Sequence, residues 1–297
     1  MISTAQVMQI VGEAKLRHEV SKKRWRYIHR GVLFTESGPL TREQQWWVGV
    51  LIAGPESVLG GLAAAQAAGL RGRWRRAIID ILRPARLGAR DLLRKPSPEL
   101  PAIKVHRVST LFDEDIQPAR PYRTTTERAL VDAAGWAHSD AEAVSLISAG
   151  CQQRLVAPAD IVRVAAKLTR TNRRALIMET ADFADKGATT PSEIDFVKMC
   201  RHNGLPQPKM QVTRVDRAGV RRYLDAYFAD FGIHVEIDGA HHMDARQWAA
   251  DLKRQNDVWI GGDRILRFPA YLIRTKPDEV VAQLRAALRA AGWIPRP

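Results

Sequence analysis

The chain has 297 residues, which suggests two domains of about 150 residues each. Its 46 basic residues exceed its 32 acidic residues and give a net charge of +14, which favours a polyanionic partner such as DNA. The only two cysteines, Cys151 and Cys200, exclude a disulfide framework and a zinc site built on thiolates.

The N-terminal sequence lacks the basic start and apolar core of a secretory signal. The apolar run at 48–70 contains Pro55 and Glu56 and several glycines, so it makes a poor membrane span. We therefore expect a cytoplasmic protein that does not enter a membrane.

Residues 1–90 form the first predicted region. A helix is expected from about Thr4, followed by a basic helix and then by RGVLFTE, whose alternation predicts a strand. Helix, turn, basic helix and strand in this order are typical of a small winged-helix DNA-binding unit. Further helices are predicted at 41–53, with Thr41 as the N-cap, and at 57–68.

Residues 91–185 are predicted to form a mostly helical middle region without obvious chemistry. It opens with KPSPELPAIKVHRV, whose three prolines indicate an extended connection that leads into a strand. Thr124 or Thr125 can cap the next helix, TERALVDAAGWA. The other helices expected in this region lie at 141–153, 158–167 and 175–183.

Residues 186–297 form the third predicted region, with the element order α-β-β-β-α-β-α. A helix begins at Pro191 and ends near His202, before Gly204 and Pro206. The next expected elements are a strand KMQVTRV, a β-hairpin, a helix at 244–261, a strand RILRFPAYLI and a helix at 276–291. We expect an α/β fold of the α+β kind, with a mixed sheet flanked by helices.

The hairpin at 221–242 carries several acidic and histidine residues. If its turn is centred on Asp230 and Phe231, Asp225 faces Glu236 on the neighbouring strand. Facing Cβ atoms lie roughly 5 Å apart, and two carboxylates at that distance repel one another unless a cation or proton joins them. A hard cation such as Mg²⁺ suits such an all-oxygen site.

The third region resembles the PD-(D/E)XK nuclease superfamily, and more narrowly a bacterial domain related to the very-short-patch-repair endonucleases. The resemblance rests on PSEIDF, RRYLDAYF, HVEIDGAHH, DLKRQNDVWIGG and RILRFP in that order. It implies a restriction-endonuclease-like fold over roughly the last hundred residues.

The resemblance also implies roles for individual residues. Asp225 and Glu236 match the metal ligands, and Glu193 matches a glutamate that supports the metal or orients water. His241 or His242 matches a histidine near the attacking water, and Asp251 and Arg254 match polar positions on the following helix. Candidate contacts to the DNA backbone in this region are Lys209, Arg221, Arg222, Lys253, Arg254 and Arg267.

Asp238 departs from the superfamily pattern, which has lysine two residues after the acidic residue. Asp238 could be a further metal ligand, the cationic role could have moved to His241, Lys253 or Arg254, or activity could be lost. Each candidate also has a structural interpretation. Glu193 suits the first turn of a helix, and Asp238-Gly239 suits a turn.

The first region, on RHEVSKKRWRYIHRGVLFTE, resembles the winged-helix segment of abortive-infection type IV antitoxins, which bind promoter DNA. The middle segment, with RTTTERALVDAA, is similar to the segment on the C-terminal side of the winged helix in such proteins. The resemblance implies that Lys22, Lys23, Arg24 and Arg26 contact phosphates, although an ordinary solvated basic helix would have the same composition.

The favoured hypothesis is a DNA endonuclease that depends on Mg²⁺ or Mn²⁺ and is targeted by an N-terminal DNA-binding unit. The alternative is a DNA-binding transcriptional regulator or antitoxin-like protein whose nuclease-like domain is inactive. A third hypothesis is an RNA-directed nuclease or a toxin component. The partner is DNA in the first two, and a homodimer is left open.

Overall fold

The computed structural model describes residues 1–74, 78–87, 93–94, 96–109, 111–168, 170–188, 190–215, 221–238 and 264–295. The fold is mixed α/β, as the sequence predicts. The chain divides into two compact units, Met1–Met178 and Glu179–Pro297.

The first unit begins with a small three-stranded sheet and two helices. The strands are β1 (Ile2–Ser3), β2 (Arg26–His29) and β3 (Val32–Phe34), in the order β1-β3-β2, and the helices are α1 (Thr4–Val11) and α2 (Glu13–Ser21). Val7, Leu16 and Leu33 form the buried cluster between them. The basic helix is shorter than predicted, because Lys23 has a left-handed φ of 55° that ends it.

A six-stranded sheet forms the main layer of this unit. Its strands, in the order β6-β7-β5-β4-β9-β8, are β4 (Val58–Leu59), β5 (Ile78–Pro84), β6 (Leu93–Arg94), β7 (Ala102–Val108), β8 (Ile116–Gln117) and β9 (Arg123–Thr124). The pairs β5–β7 and β4–β9 are parallel, and the others are antiparallel. The predicted division at residue 90 lies between β5 and β7, which are neighbours in this sheet, and the predicted helical middle region also contains β6 to β9.

The helices α3 (Arg42–Ala53) and α4 (Gly61–Ala67) pack on this sheet. Helix α5 (Thr126–Gly135) packs on α4, and α6 (Asp140–Gln152) and α7 (Pro158–Lys167) pack on α5. Thr41 caps α3 as predicted and shares a capping box with Gln44. The helix predicted from Ser57 was wrong at its start, because the backbone stays extended through Gly60. A Cβ on Gly60 would lie 1.7 Å from Leu82 Cδ1, so only glycine allows this approach to β5.

The second unit has one four-stranded sheet. After α8 (Arg174–Asp185), which contains the division point, the elements are α9 (Pro191–His202), β10 (Lys209–Val215), β11 (Arg221–Phe228), β12 (Ile233–Asp238), β13 (Arg264–Pro269), α10 (Ala270–Thr275) and α11 (Pro277–Ala290). The order is β10-β11-β12-β13, with β10, β11 and β12 antiparallel and β13 parallel to β12.

The strand predicted from RILRFPAYLI ends at Pro269, and its last residues form α10 instead. Proline has no N–H for a strand ladder and fits the position just before or within a first helical turn, which accounts for the change. The helix predicted at 244–261 lies outside the described residues.

One face of the four-stranded sheet packs against helices and forms the core. Phe196 from α9, Phe228 and Val235 from the hairpin, Phe268 from β13 and Leu284 from α11 are all buried there. Since side chains alternate along a strand, the residues between them face the other side of the sheet. The candidate site lies on that second face.

Candidate functional site

The hairpin register places Asp225 and Glu236 across from each other. The strand pairs are Ala226 with Val235, Tyr227 with His234 and Phe228 with Ile233, so facing residue numbers have a constant sum. Continuing this register by one residue pairs Asp225 with Glu236. This is the register that the sequence predicted from a turn at Asp230 and Phe231, where the structure has a 3-10 turn and a left-handed Gly232.

A hydrogen bond from a backbone amide to a side chain joins the two strands at this point. The backbone N–H of Ile237 donates to Asp225 Oδ2 at 2.8 Å. One oxygen of the Asp225 carboxylate is therefore fixed against β12, on the strand that carries Glu236. Asp225 as a whole residue is partly exposed.

Glu236 is buried, with 6% of its surface exposed, and it pairs with a cation on the next strand. Arg267 of β13 is its register partner, and Arg267 Nη2 lies 2.9 Å from Glu236 Oε2. The sequence suggested that Arg267 contacts the DNA backbone. In the structure its guanidinium neutralises the Glu236 carboxylate and fixes its direction.

Glu193 is buried at the start of α9 and contacts both the helix cap and a neighbouring strand. It occupies the first turn of α9 and forms a capping box with Thr190, whose Oγ1 accepts a hydrogen bond from the Glu193 amide at 3.2 Å. Its Oε1 also accepts a hydrogen bond from Gln211 Nε2 at 2.8 Å, and only 4% of Glu193 is exposed. The capping box supports the structural interpretation of Glu193, and its role toward a metal or water stays a prediction.

Gln211 of β10 contacts Glu193 and lies level with Asp225 of the neighbouring strand. It lies between Met210, which pairs with Ala226, and Val212, which pairs with Leu224, so the register brings Gln211 level with Asp225. Its φ of 51° is left-handed, which interrupts the regular strand at this position. Gln211, Asp225, Glu236 and Arg267 thus lie side by side across the four strands.

His234 is a site neighbour that the sequence analysis missed. It is two residues before Glu236, so it shares that residue's face of the sheet, and it is only 2% exposed. Its ring meets Tyr227 edge-on, with ring centroids 4.5 Å apart. The signal that could have found it is the spacing of His234 and Glu236 on a predicted strand.

Several predicted site residues cannot be placed. The residues His241, His242, Asp251, Lys253 and Arg254 lie outside the described part of the chain. The backbone of Arg221, Arg222 and Asp238 lies on β11 and β12, and the side chains of these three are likewise outside the description. Their roles stay predictions.

The donor set around Asp225 fits a hard divalent ion in part. Within the described ranges, no group of three or more histidine, cysteine, aspartate or glutamate side chains is arranged to hold a metal. Mg²⁺ commonly takes only one or two protein carboxylates and keeps several waters. The facing pair of Asp225 and Glu236 supplies that number of carboxylates.

The predicted DNA-binding cations of the first unit do not lie on one helix, which corrects the expectation of a basic helix through Arg26. Lys22, Lys23 and Arg24 come after the end of α2, and Arg26 begins β2. Lys22 and Lys23 are exposed. Arg24 donates to both Glu19 carboxylate oxygens, at 2.6 and 2.8 Å, and Arg26 pairs with Glu99 at 3.0 Å.

The described helices include none that is both long and apolar enough to cross a membrane. Comparisons of the chain with models of known protein families, with curated proteins and with solved structures found no match.

Proposed function

We propose that the chain is a DNA endonuclease that hydrolyses phosphodiester bonds with Mg²⁺ or Mn²⁺ in its second unit. The observation that carries the proposal is the hairpin register, which continued by one residue beyond Ala226–Val235 sets Asp225 against Glu236 on the sheet face opposite the core. The mixed four-stranded sheet, with α9 and α11 on its other face, agrees with the restriction-endonuclease-like core that the sequence motifs imply.

Asp225 and Glu236 would hold the ion, which neutralises charge on the phosphate and makes the attacking water more acidic. The Ile237 amide holds one oxygen of the Asp225 carboxylate against β12, the strand that carries Glu236. Arg267 orients Glu236, and Glu193 orients the Gln211 amide beside Asp225. Supporting contacts of this kind hold ligand groups in position before an ion arrives.

DNA would be brought to this site by a winged-helix-like region at the N-terminus. The order of β1, α1, α2 and the β2–β3 hairpin supports that interpretation, since it combines two short helices with a strand pair. Lys22 and Lys23 are the exposed cations at the end of α2. Contacts from such residues to phosphates give binding that depends on salt and little on base sequence.

A cleavage assay on supercoiled plasmid tests the proposal. Wild type is expected to nick the plasmid with Mg²⁺ or Mn²⁺ and to be inactive in EDTA. Asp225→Asn keeps an oxygen for the Ile237 amide but loses the charge, so we expect the rate to fall about 100-fold or more. Asp230→Asn is the matched control, because Asp230 is exposed in the hairpin turn, and it should cleave like wild type.

A DNA-binding regulator with an inactive nuclease-like unit is the second candidate. It is favoured by the Arg267–Glu236 pair, which already neutralises one carboxylate, and by aspartate at position 238 where the motif has lysine. This candidate predicts tight binding to DNA that Asp225→Asn does not change. Absence of cleavage by wild type on plasmid, linear and mismatched DNA would favour it. Cleavage of RNA alone would favour the third hypothesis.

A further inference from the structure

The first unit contains a cavity at the carboxyl ends of two parallel strands. The cavity measures about 580 Å³, and its lining includes Ala85, which comes directly after β5, and His106 and Ser109 from the end of β7. Because β5 and β7 are parallel neighbours, their carboxyl ends meet at one edge of the sheet. Crevices at such edges commonly bind ligands in α/β proteins, and a volume of this size suits a small organic molecule.

A histidine is held rigidly at the inner end of this cavity. His106 Nε2 lies 2.8 Å from Oδ1 of Asp80, whose side chain is fully buried. The His106 ring also stacks on Trp136, with centroids 3.5 Å apart and planes 6° apart. The imidazole is therefore fixed both at its edge and over its face.

An acidic network continues the floor of the cavity. Arg128 is 2% exposed and donates to Asp115 at 3.0 Å and to Asp132 at 2.8 Å. Together with Asp80, this gives three buried carboxylates beside one guanidinium and one imidazole. Of the three carboxylates Asp132 lines the cavity, where its oxygens and the His106 ring would pair with the N–H or O–H donors of a ligand.

The opening of the cavity has the opposite character. Arg107, Ser109 and Arg170 are exposed lining residues, and the hydroxyl of Thr171 lies among them. Guanidinium and hydroxyl groups are the side chains that hold phosphate oxygens in proteins. The cavity thus has cations among its exposed lining residues and the Asp132 carboxylate and His106 ring among its more buried ones.

We propose that this cavity binds a nucleotide, with its phosphate at Arg107 and Arg170 and its sugar or base donors at Asp132 and His106. A nucleotide combines an anionic end with a donor-bearing end, which matches the two ends of the cavity. The nucleotide is either a free mononucleotide or one unit of a single strand. The site is separate from the Asp225–Glu236 pair and does not depend on the nuclease proposal.

Calorimetric titration of the full chain tests this assignment. The probes are the four nucleoside 5′-monophosphates, the corresponding nucleosides and a short single strand of DNA, all in EDTA so that divalent ions take no part. We expect the double variant Arg107→Gln/Arg170→Gln to weaken monophosphate binding at least about 10-fold and to leave nucleoside binding unchanged. Asp132→Asn should weaken both about 5-fold or more.

Lys104→Gln is the matched control. Lys104 is an exposed cation of β7 that does not line the cavity, so its loss should change no affinity beyond error. Because Arg107 and Arg170 are exposed, their replacement leaves the buried network intact, and thermal melting checks that each variant is folded. Binding of the strand but not of the monophosphates, with the same dependence on Arg107 and Arg170, assigns the site to a strand.

Two results would overturn the proposal. One is the absence of binding by every probe at about 1 mM, the weak end of measurable affinity. The other is an equal loss of affinity in Lys104→Gln and in the double variant, which would indicate attraction by overall charge alone.

Discussion

Burial sets the protonation of Asp132 at the scale of a single residue. Removal from water raises the pKa of this carboxyl to about 6, although Arg128 acts in the opposite direction. An aspartate in an unfolded chain has a pKa of about 3.9. Between these values the folded protein holds a proton that the unfolded chain has lost. The stability from this proton is complete below about pH 4 and is lost as the pH rises through 6.

Asp132→Asn removes this pH dependence. The test measures the unfolding free energy of wild type and of the variant from pH 4 to 7. Relative to the variant, wild type should lose about 2 to 3 kcal/mol over that range. Asp160→Asn, which changes a half-exposed aspartate of α7 in a surface ion pair with Arg163, should track wild type throughout. A constant difference between wild type and Asp132→Asn would contradict the raised pKa.

The site residues differ in how far the sequence alone could place them. Asp225 and Glu236 belong to one hairpin, so a short turn fixes which residues face each other. Gln211 and Arg267 come from strands outside that hairpin, and their alignment with it depends on pairings that local sequence does not encode. His234 was missed because its spacing from Glu236 shows only that the two share a face, whereas its contact with Tyr227 depends on how the strands pair.

At the scale of elements, local signals predicted the helices well. Capping residues and prolines mark where α3, α7 and α9 begin, whereas Thr125 precedes α5 without a side-chain capping bond. The six-stranded sheet was largely missed, because β4, β8 and β9 are two residues long and are defined by their partners. The apolar run of β5 is buried on both faces, so it lacks the alternation that identifies a half-exposed strand.

The cap of α9 links the stability of an element to the candidate site. The Thr190 hydroxyl accepts a hydrogen bond from the Glu193 amide, and the Glu193 carboxylate accepts one from the Gln211 side chain. Thr190→Ala should lower the free energy of unfolding by about 1 kcal/mol in chemical denaturation. Thr190→Ser keeps the hydroxyl and should lose much less. Equal losses in both variants would show that the methyl group of Thr190, and not the cap, is responsible.

At the scale of the whole molecule, net charge and local pairing have to be separated. The excess of +14 favours any polyanion, but many cations are already engaged. Arg24 is held by Glu19 and Arg26 by Glu99, whereas Lys22 and Lys23 are exposed beyond α2. The two units are unequal in size, since the first ends at Met178. The predicted third region begins at residue 186, close to the start of the second unit at Glu179.

The salt dependence of DNA binding distinguishes these cations. If Lys22 and Lys23 each contact a phosphate, replacing both by Gln should reduce the slope of log K against log salt by about 2. Arg24→Gln should leave the slope within error, because Glu19 already neutralises that guanidinium. Fluorescence anisotropy at several salt concentrations measures the slopes. A larger change for Arg24→Gln than for the lysine pair would contradict the assignment.

The hydrogen bond from the Ile237 amide to Asp225 makes one backbone proton a reporter of ions near the carboxylate. A divalent ion on Asp225 would withdraw electron density from the acceptor oxygen and weaken this bond. In a ¹⁵N–¹H spectrum, the Ile237 signal should then shift as Mg²⁺ is added, while that of Ile233, on the same strand within its regular pairing, stays in place. A single amide would thus reveal ion occupancy without nucleic acid and without turnover, and an unmoved Ile237 signal would mean that Asp225 binds no ion.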